Sequence, residues 1–475
     1  MHADTILRNA LLIDGTGAPR RAGDLAIRDD RIAAIGDLSG WAAGVEHDAG
    51  GKVLAPGFID VHVHYDEAVL VNPQLESALS QGVTTVVNGN CGFSIAPLTT
   101  DAPLPMPLGA VVNDAFPRFR TYAAYDRFLR DNPASVNAAC LIGHSNLRVN
   151  MMADLSRPAD RAELKAMCAQ LDQALAEGGK GLSTGPFYPP ARGSDTDELI
   201  EVTRVLRNHP GKMYVTHMRD EGDRVIEGLQ EAIDIGHATE VPIHISHHKC
   251  AGLANHGKSC QTLPMIDAAR ASLSMGLDTT PYIASSTMLN SGRHKQASRV
   301  IVAGSKPYPE MSGRDLEDVA REWGVDLDAA MERLLPAMGV FFIMGEDDVQ
   351  RILTHDLTLI CSDAIAEGNH PHPRVWGTFP RVLGHYARDK GLFPLENAVA
   401  RMTGMSADRF GLTDRGVLRE GAFADLVLFD PETIIDRATY EVPKQTAAGI
   451  EKVWVNGRLT WQDGAHTGAR AGHTL

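Results

Sequence analysis

Between residues 57 and 362 the chain repeats one rhythm: a short apolar, β-branched run, then a polar stretch with helical spacing. The runs fall at 57–64, 83–89, 137–143, 180–184, 213–218, 241–247, 275–280 and 358–362. Helical patterns lie between several of them. In Asp223 to Ala238, Ile226, Leu229 and Ile233 recur on one face, with Glu227, Glu231 and Asp234 off it. Asp195 to Asn208 opens with an acidic turn and carries Leu199, Val202 and Leu206 at helical intervals. Eight strands alternating with helices predict a (β/α)8 TIM barrel, with a doubly wound α/β sheet as the runner-up.

The ends of the chain read differently. Residues 1–56 hold short alternating strands such as Thr5–Asn9, Leu25–Arg28 and Ile32–Gly36, punctuated by turns such as Asp14-Gly15. The last stretch looks alike, with Ala424–Phe429 and Val453–Gly457. We therefore expect a small β-sandwich domain built from 1–56 and 417–475, around a catalytic barrel at 57–416. An insertion at about 283–350 carries its own helix near Gly313 to Gly324. Insertions after barrel strands sit over the catalytic mouth.

Catalytic groups of a barrel lie at the C-terminal ends of its strands, and those ends are rich in ligand chemistry. The first carries Asp60-Val61-His62-Val63-His64, whose two imidazoles, two residues apart on a strand, project to one side. The second runs into Asn88-Gly89-Asn90-Cys91-Gly92, and the third into His144-Ser145-Asn146. The fifth ends in Thr216-His217, the sixth in His244-Ile245-Ser246-His247-His248-Lys249, and the eighth in Ser362-Asp363. Thiolate, imidazole and carboxylate are the ligands zinc prefers, so a metal site is expected. Neighbours alternate along a strand, so His247 and His248 cannot both face inward. His244 reads equally as packing, and Cys140, Cys168, Cys250, Cys260 and Cys361 as structural. The Gly-rich run at Cys91 lacks phosphate-loop spacing.

Bulk properties narrow the partners. A net charge of −15 leaves no basic face for nucleic acid or an anionic membrane. No apolar run approaches the ~20 residues needed to span a bilayer. Six cysteines without paired spacing fit a reducing compartment, and no signal peptide is read at the N-terminus, so a cytoplasmic protein acting on a small molecule is expected. Oligomeric state is not legible.

The motif Pro56-Gly57-Phe58-Ile59-Asp60-x-His62-x-His64, with histidines after strands five and six and an aspartate after strand eight, resembles the amidohydrolase superfamily. Within it the chain is most similar to N-acyl-D-amino-acid deacylases (D-aminoacylases). The blocks are Gln81–Gly92, Ser183–Arg192 with Tyr188, Ile245–Lys249, and Pro371–Arg381. They span nearly the whole chain. The resemblance implies a tight zinc on Cys91, His217 and His247, and a weaker second site on His62 and His64. It implies Asp363 as the proton shuttle and Lys249, Tyr282 and Arg374 as holders of the substrate carboxylate. Tyr188 joins the substrate site, and Arg293, from the insertion, is a candidate partner for an acidic side chain. Relatives with a bridging metal pair often carry a carboxylated lysine at the end of strand four; here that strand ends Ser183-Thr184-Gly185, and Lys180 lies at its other end. Family members also often show His-Asp-Asp where this chain has His64-Tyr65-Asp66. That puts substrate range rather than chemistry in question. The implied reaction is zinc-dependent hydrolysis of N-acyl-D-amino acids. The alternatives are a hydantoinase-like cyclic amide hydrolase and a scaffold that has lost catalysis.

Overall fold

The computed structural model describes residues 1–112, 117–365 and 368–475. Eight parallel strands form its centre: β1 (Phe58–Asp60), β2 (Val83–Asn88), β3 (Asn137–Cys140), β4 (Gly181–Thr184), β5 (Met213–Thr216), β6 (Ile243–Ile245), β7 (Met275–Thr279) and β8 (Thr358–Ile360). Each pairs in parallel with the next, and the β3 chain reaches β4 through its continuation Ile142–Gly143. The ring closes at its rim, where Ala364–Ile365 pairs with Val63–His64 and Asp363 N donates to His62 O at 2.8 Å. Every predicted strand is present. Both faces of these strands are buried, which is why the runs read as continuously apolar rather than alternating. Ile59, Val87, Ala139, Val215 and Leu359 pack with Phe410 and Leu412 in one cluster. Their neighbours Phe58, Val86, Leu182, Tyr214 and Ile243 belong to a second, together with the helices.

The first strand departs from its predicted span of 57–64. It is interrupted at Val61–His62, because Asp60 Oδ1 accepts from Ser362 N at 3.0 Å and from His62 N at 3.4 Å. A side chain replaces the strand ladder there.

The predicted helices are Thr196–Arg204, capped by Asp195 and prolonged by a 3-10 turn, and Val225–Thr239. Asp195 accepts from Glu198 N, satisfying a first-turn donor. Residues 284–342 form a three-stranded antiparallel sheet, with Ala337–Phe342 between Ala284–Met288 and Val300–Ser305, and the helix Leu316–Trp323 lies within this segment.

The terminal strands form one hydrogen-bonded sheet of nine rather than two separate sheets. The long strand His2–Leu12 explains this. It pairs with Ala42–Asp48 through residues 2–8 and with Val53–Pro56 through Leu11 and Leu12. Between these partners Asn9 adopts φ 55°, and a bulge lies between Leu7 and Ala10. The strand bends there, so a single sheet wraps a core of Leu7, Leu25, Leu54, Leu426 and Trp454. Among the described residues no helix is long and apolar enough to cross a membrane.

Candidate active site and metal centre

Cys91 reaches the barrel mouth through a tight turn. Gly89 and Gly92 flank it at φ 79° and 82°, and a Cβ on Gly89 would sit 2.2 Å from Leu141 O. Only glycine permits that approach. Cys91, His247 and Asp363 themselves take left-handed conformations, with φ of 54°, 32° and 50°. Such values are uncommon outside glycine and cluster at functional sites. At His247 the backbone is held by its N–H donating to Asp278 Oδ1 at 2.6 Å.

The sulfur of Cys91 lies 3.6 Å from His217 Nδ1, 3.2 Å from His247 Nε2 and 3.3 Å from His62 Nε2. His217 Nδ1 and His247 Nε2 are 3.0 Å apart. A tetrahedral zinc with Zn–S of ~2.3 Å and Zn–N of ~2.0–2.1 Å spaces its donors by about 3.5 Å (S to N) and about 3.3 Å (N to N). The three donors fit that geometry. Burial pushes the Cys91 thiol well above its usual range, so the isolated thiol is neutral and a cation is what would draw out the thiolate. Burial likewise holds His217 well below its usual range and lowers His62 and His64, leaving neutral imidazoles free to ligate.

A second group adjoins the first. Asp363 Oδ1 lies 3.4 Å from His64 Nε2 and 3.8 Å from His62 Nε2. Burial raises the Asp363 carboxyl, but Arg374, His247 and His64 outweigh it and hold the group well below the usual carboxylate range. It is therefore ionised and able to take a proton.

Both groups open onto a cleft of about 520 Å3, counting its mouth. Tyr188, Lys249 and Arg293 line it, as do Ser285, Ser286, Thr287, Met288 and Met338 from the 284–342 sheet. Tyr188 packs its ring 4.8 Å from that of His217. Arg374 lines an adjoining cavity that shares Ser286, Met338 and Ile365 with the cleft, and donates to Asp363 Oδ2 at 2.7 Å. Arg293, which lines the cleft, has one guanidinium nitrogen committed within the protein: buried, its Nη2 donates to Glu221 Oε2 at 2.6 Å. Tyr282 does not line this cleft. It faces a small neighbouring cavity with Lys249 and Thr280, ring edge-on to His372 at 5.0 Å.

Other strand-end groups turn elsewhere. His144 bonds Glu198 at 2.9 Å, His248 bonds Thr262 at 2.8 Å, and His244 bonds Asp278 at 2.7 Å.

Two buried carboxylates escaped the sequence reading. Asp278 is the penultimate residue of β7, the one strand whose end was left uninterpreted; burial raises it, but His62 and His244 hold it well below its usual range. Glu221 lies four residues after His217, in an acidic run that reads as the start of a helix. It contacts Lys249 and His247 through Oε1, at 2.6 and 2.9 Å.

Comparison with known proteins gives a consistent picture. The model of the amidohydrolase family matches residues 45–261 and 315–461. A D-aminoacylase of Alcaligenes xylosoxydans xylosoxydans is 52% identical over 472 residues, covering 99% of this chain and 97% of the relative. An N-acyl-D-aspartate deacylase of the same organism is 48% identical, covering 100% and 95%. The crystal structure of an N-acyl-D-glutamate deacylase from Bordetella bronchiseptica, complexed with zinc and a phosphonate mimic of the tetrahedral intermediate, superposes with a TM-score of 0.97 at 41% identity, covering 100% of each chain.

Proposed function

The chain belongs to the amidohydrolase family, and from that premise we propose that it hydrolyses the amide bond of N-acyl-D-amino acids, releasing a carboxylate and a free D-amino acid. One observation carries the reading: Cys91, His217 and His247 converge within 3.6 Å at the cleft, beside the ionised Asp363. Those three residues would hold one tight zinc, and His62 and His64 would form a weaker second site. When bound, zinc supplies a Lewis acid for the amide carbonyl and lowers the pKa of water towards ~7.

The rest is the work of the chain. Asp363 takes the proton of the attacking water and delivers it to the departing amine, so it is reset within one turnover. Tyr188 covers one wall and excludes bulk water. Lys249, paired with Glu221 at 2.6 Å, has ammonium protons left to meet the substrate carboxylate, with Arg374 at the adjoining cavity. With the amide fixed at one end and the carboxylate at the other, the α-carbon has defined places for hydrogen and side chain. Inverting that centre drives the side chain into the wall that faces hydrogen. A cyclic amide presents no free carboxylate to Lys249, and β4 ends in Thr184 without a lysine. We place the protein in a reducing, cytoplasmic compartment, on the strength of six unpaired cysteines.

Chiral analysis of products from racemic N-acetylmethionine and N-acetylglutamate, with zinc-loaded protein, tests the reading. Release of D-amino acids alone supports it, and equal hydrolysis of both hands overturns it.

A further inference from the structure

One carboxylate stands behind both proposed histidine ligands. His217 and His247 turn Nδ1 and Nε2 respectively towards Cys91, and their opposite nitrogens both face Glu221. Glu221 Oε1 is 2.9 Å from His247 Nδ1, and Oε2 is 3.4 Å from His217 Nε2. The side chain is 1% exposed.

The surroundings of His247 make this contact consequential. Lys249 Nζ also lies 2.8 Å from His247 Nδ1. An ammonium has only protons to give. If Lys249 wins, Nδ1 accepts, the ring proton moves to Nε2, and the nitrogen facing Cys91 carries a hydrogen. If Glu221 wins, Nδ1 donates and Nε2 presents its lone pair to the sulfur side. Glu221 Oε1 also accepts from Lys249 Nζ at 2.6 Å, so the two competitors for Nδ1 are bonded to each other. The second oxygen, bonded by Arg293 at 2.6 Å, faces His217 Nε2 across 3.4 Å, a charge contact rather than a hydrogen bond.

We propose that Glu221 is a positioning residue that sets the tautomers of His217 and His247 together, so that Nδ1 of the first and Nε2 of the second are free to ligate. The inference rests on the proposed Cys91, His217 and His247 site. Carboxylates hydrogen-bonded behind metal-binding histidines fix ring orientation and raise ligand basicity, and losing one costs about 10–100-fold in metal affinity.

The test is zinc affinity by chelator competition, with the visible spectrum of the cobalt-substituted protein as a second readout, on the full chain. Glu221→Gln should weaken zinc binding by about 10–100-fold and change the cobalt spectrum. Arg293→Gln removes a partner of Glu221 without touching either imidazole, and should keep zinc affinity within about threefold, well short of that loss. Glu221→Asp retracts the carboxylate but keeps its charge and should fall between the two. It carries the test if Glu221→Gln does not fold. Unchanged zinc affinity in Glu221→Gln, or in Glu221→Asp where that variant stands in, overturns the proposal. So does an equal loss in Arg293→Gln. Cys91→Ala separates the two readings: if it keeps tight zinc, the site assignment itself fails, whereas zinc lost there but kept in Glu221→Gln sinks the tautomer role alone.

Discussion

Arg374 donates to Asp363 Oδ2 at 2.7 Å, so the arginine expected to grip a substrate is already bonded to the proposed proton carrier. The guanidinium is 1% exposed, and it is the largest of the influences that hold the Asp363 carboxyl down against burial. If Arg374 grips the substrate and Asp363 carries the proton, this one contact couples binding to proton transfer.

Arg374→Ala should therefore do more than raise KM. Without the guanidinium, the Asp363 carboxyl rises, because burial then meets weaker opposition. The base form is lost at higher pH, and the acid limb of the kcat/KM profile moves up in pH. A pH–rate profile of the variant checks this. A limb that stays in place with only KM altered would show that Arg374 touches substrate and not the base.

Asp363→Asn should keep both the fold and tight zinc but lose kcat by on the order of 10³-fold, since an amide can neither accept the water proton nor return it to the amine. Steady-state kinetics on zinc-loaded variant decide the matter. Retention of more than about a tenth of kcat would assign the shuttle to another group.

Cys91→Ala should remove the tight zinc and with it the activity. The sulfur touches His62, His217 and His247 together. Metal analysis after dialysis reads the outcome directly. Full zinc content in the variant would leave the imidazoles as a sufficient site.

Away from the cleft, Glu198 joins the helix Thr196–Arg204 to the chain after β3, accepting from Arg148, from His144 at 2.9 Å and from Ala159 N at 2.7 Å. Burial raises its carboxyl, but these donors prevail and bring it down to about 2, from an ordinary 4.5. Its contribution to stability is thus complete above about pH 4.5 and is lost as pH falls through about 2. Glu198→Gln should lower stability at neutral pH by ~3 kcal/mol, because Arg148 is left buried without its counter-charge. Thermal melts should show the gap to the parent narrowing as the buffer is acidified below pH 4.5. A constant gap would mean that packing, not charge, is lost.

The barrel was legible because its strands are buried on both faces and must be written as unbroken apolar runs, whatever they enclose. The candidate ligands were legible for a related reason: a side chain at the end of a barrel strand has few places to point, so His62, His64, Cys91, His217, His247 and Asp363 stood out by position together with His144, His244 and His248. The resemblance to N-acyl-D-amino-acid deacylases separated the first group from the second. Direction along the chain says nothing of contacts across it. The break at Val61–His62 depends on Asp60 meeting Ser362, some three hundred positions away, and the wrap of the terminal sheet on one bend at Asn9. The pairing of Arg374 with Asp363, the capture of Arg293 by Glu221, and the placing of Tyr282 outside the cleft were decided in the same way. Charged groups of opposite sign, once buried together, bond to each other rather than wait for a ligand, because an unpaired buried charge is too costly to leave standing. Which charges become neighbours is settled only when the strands have closed into a ring.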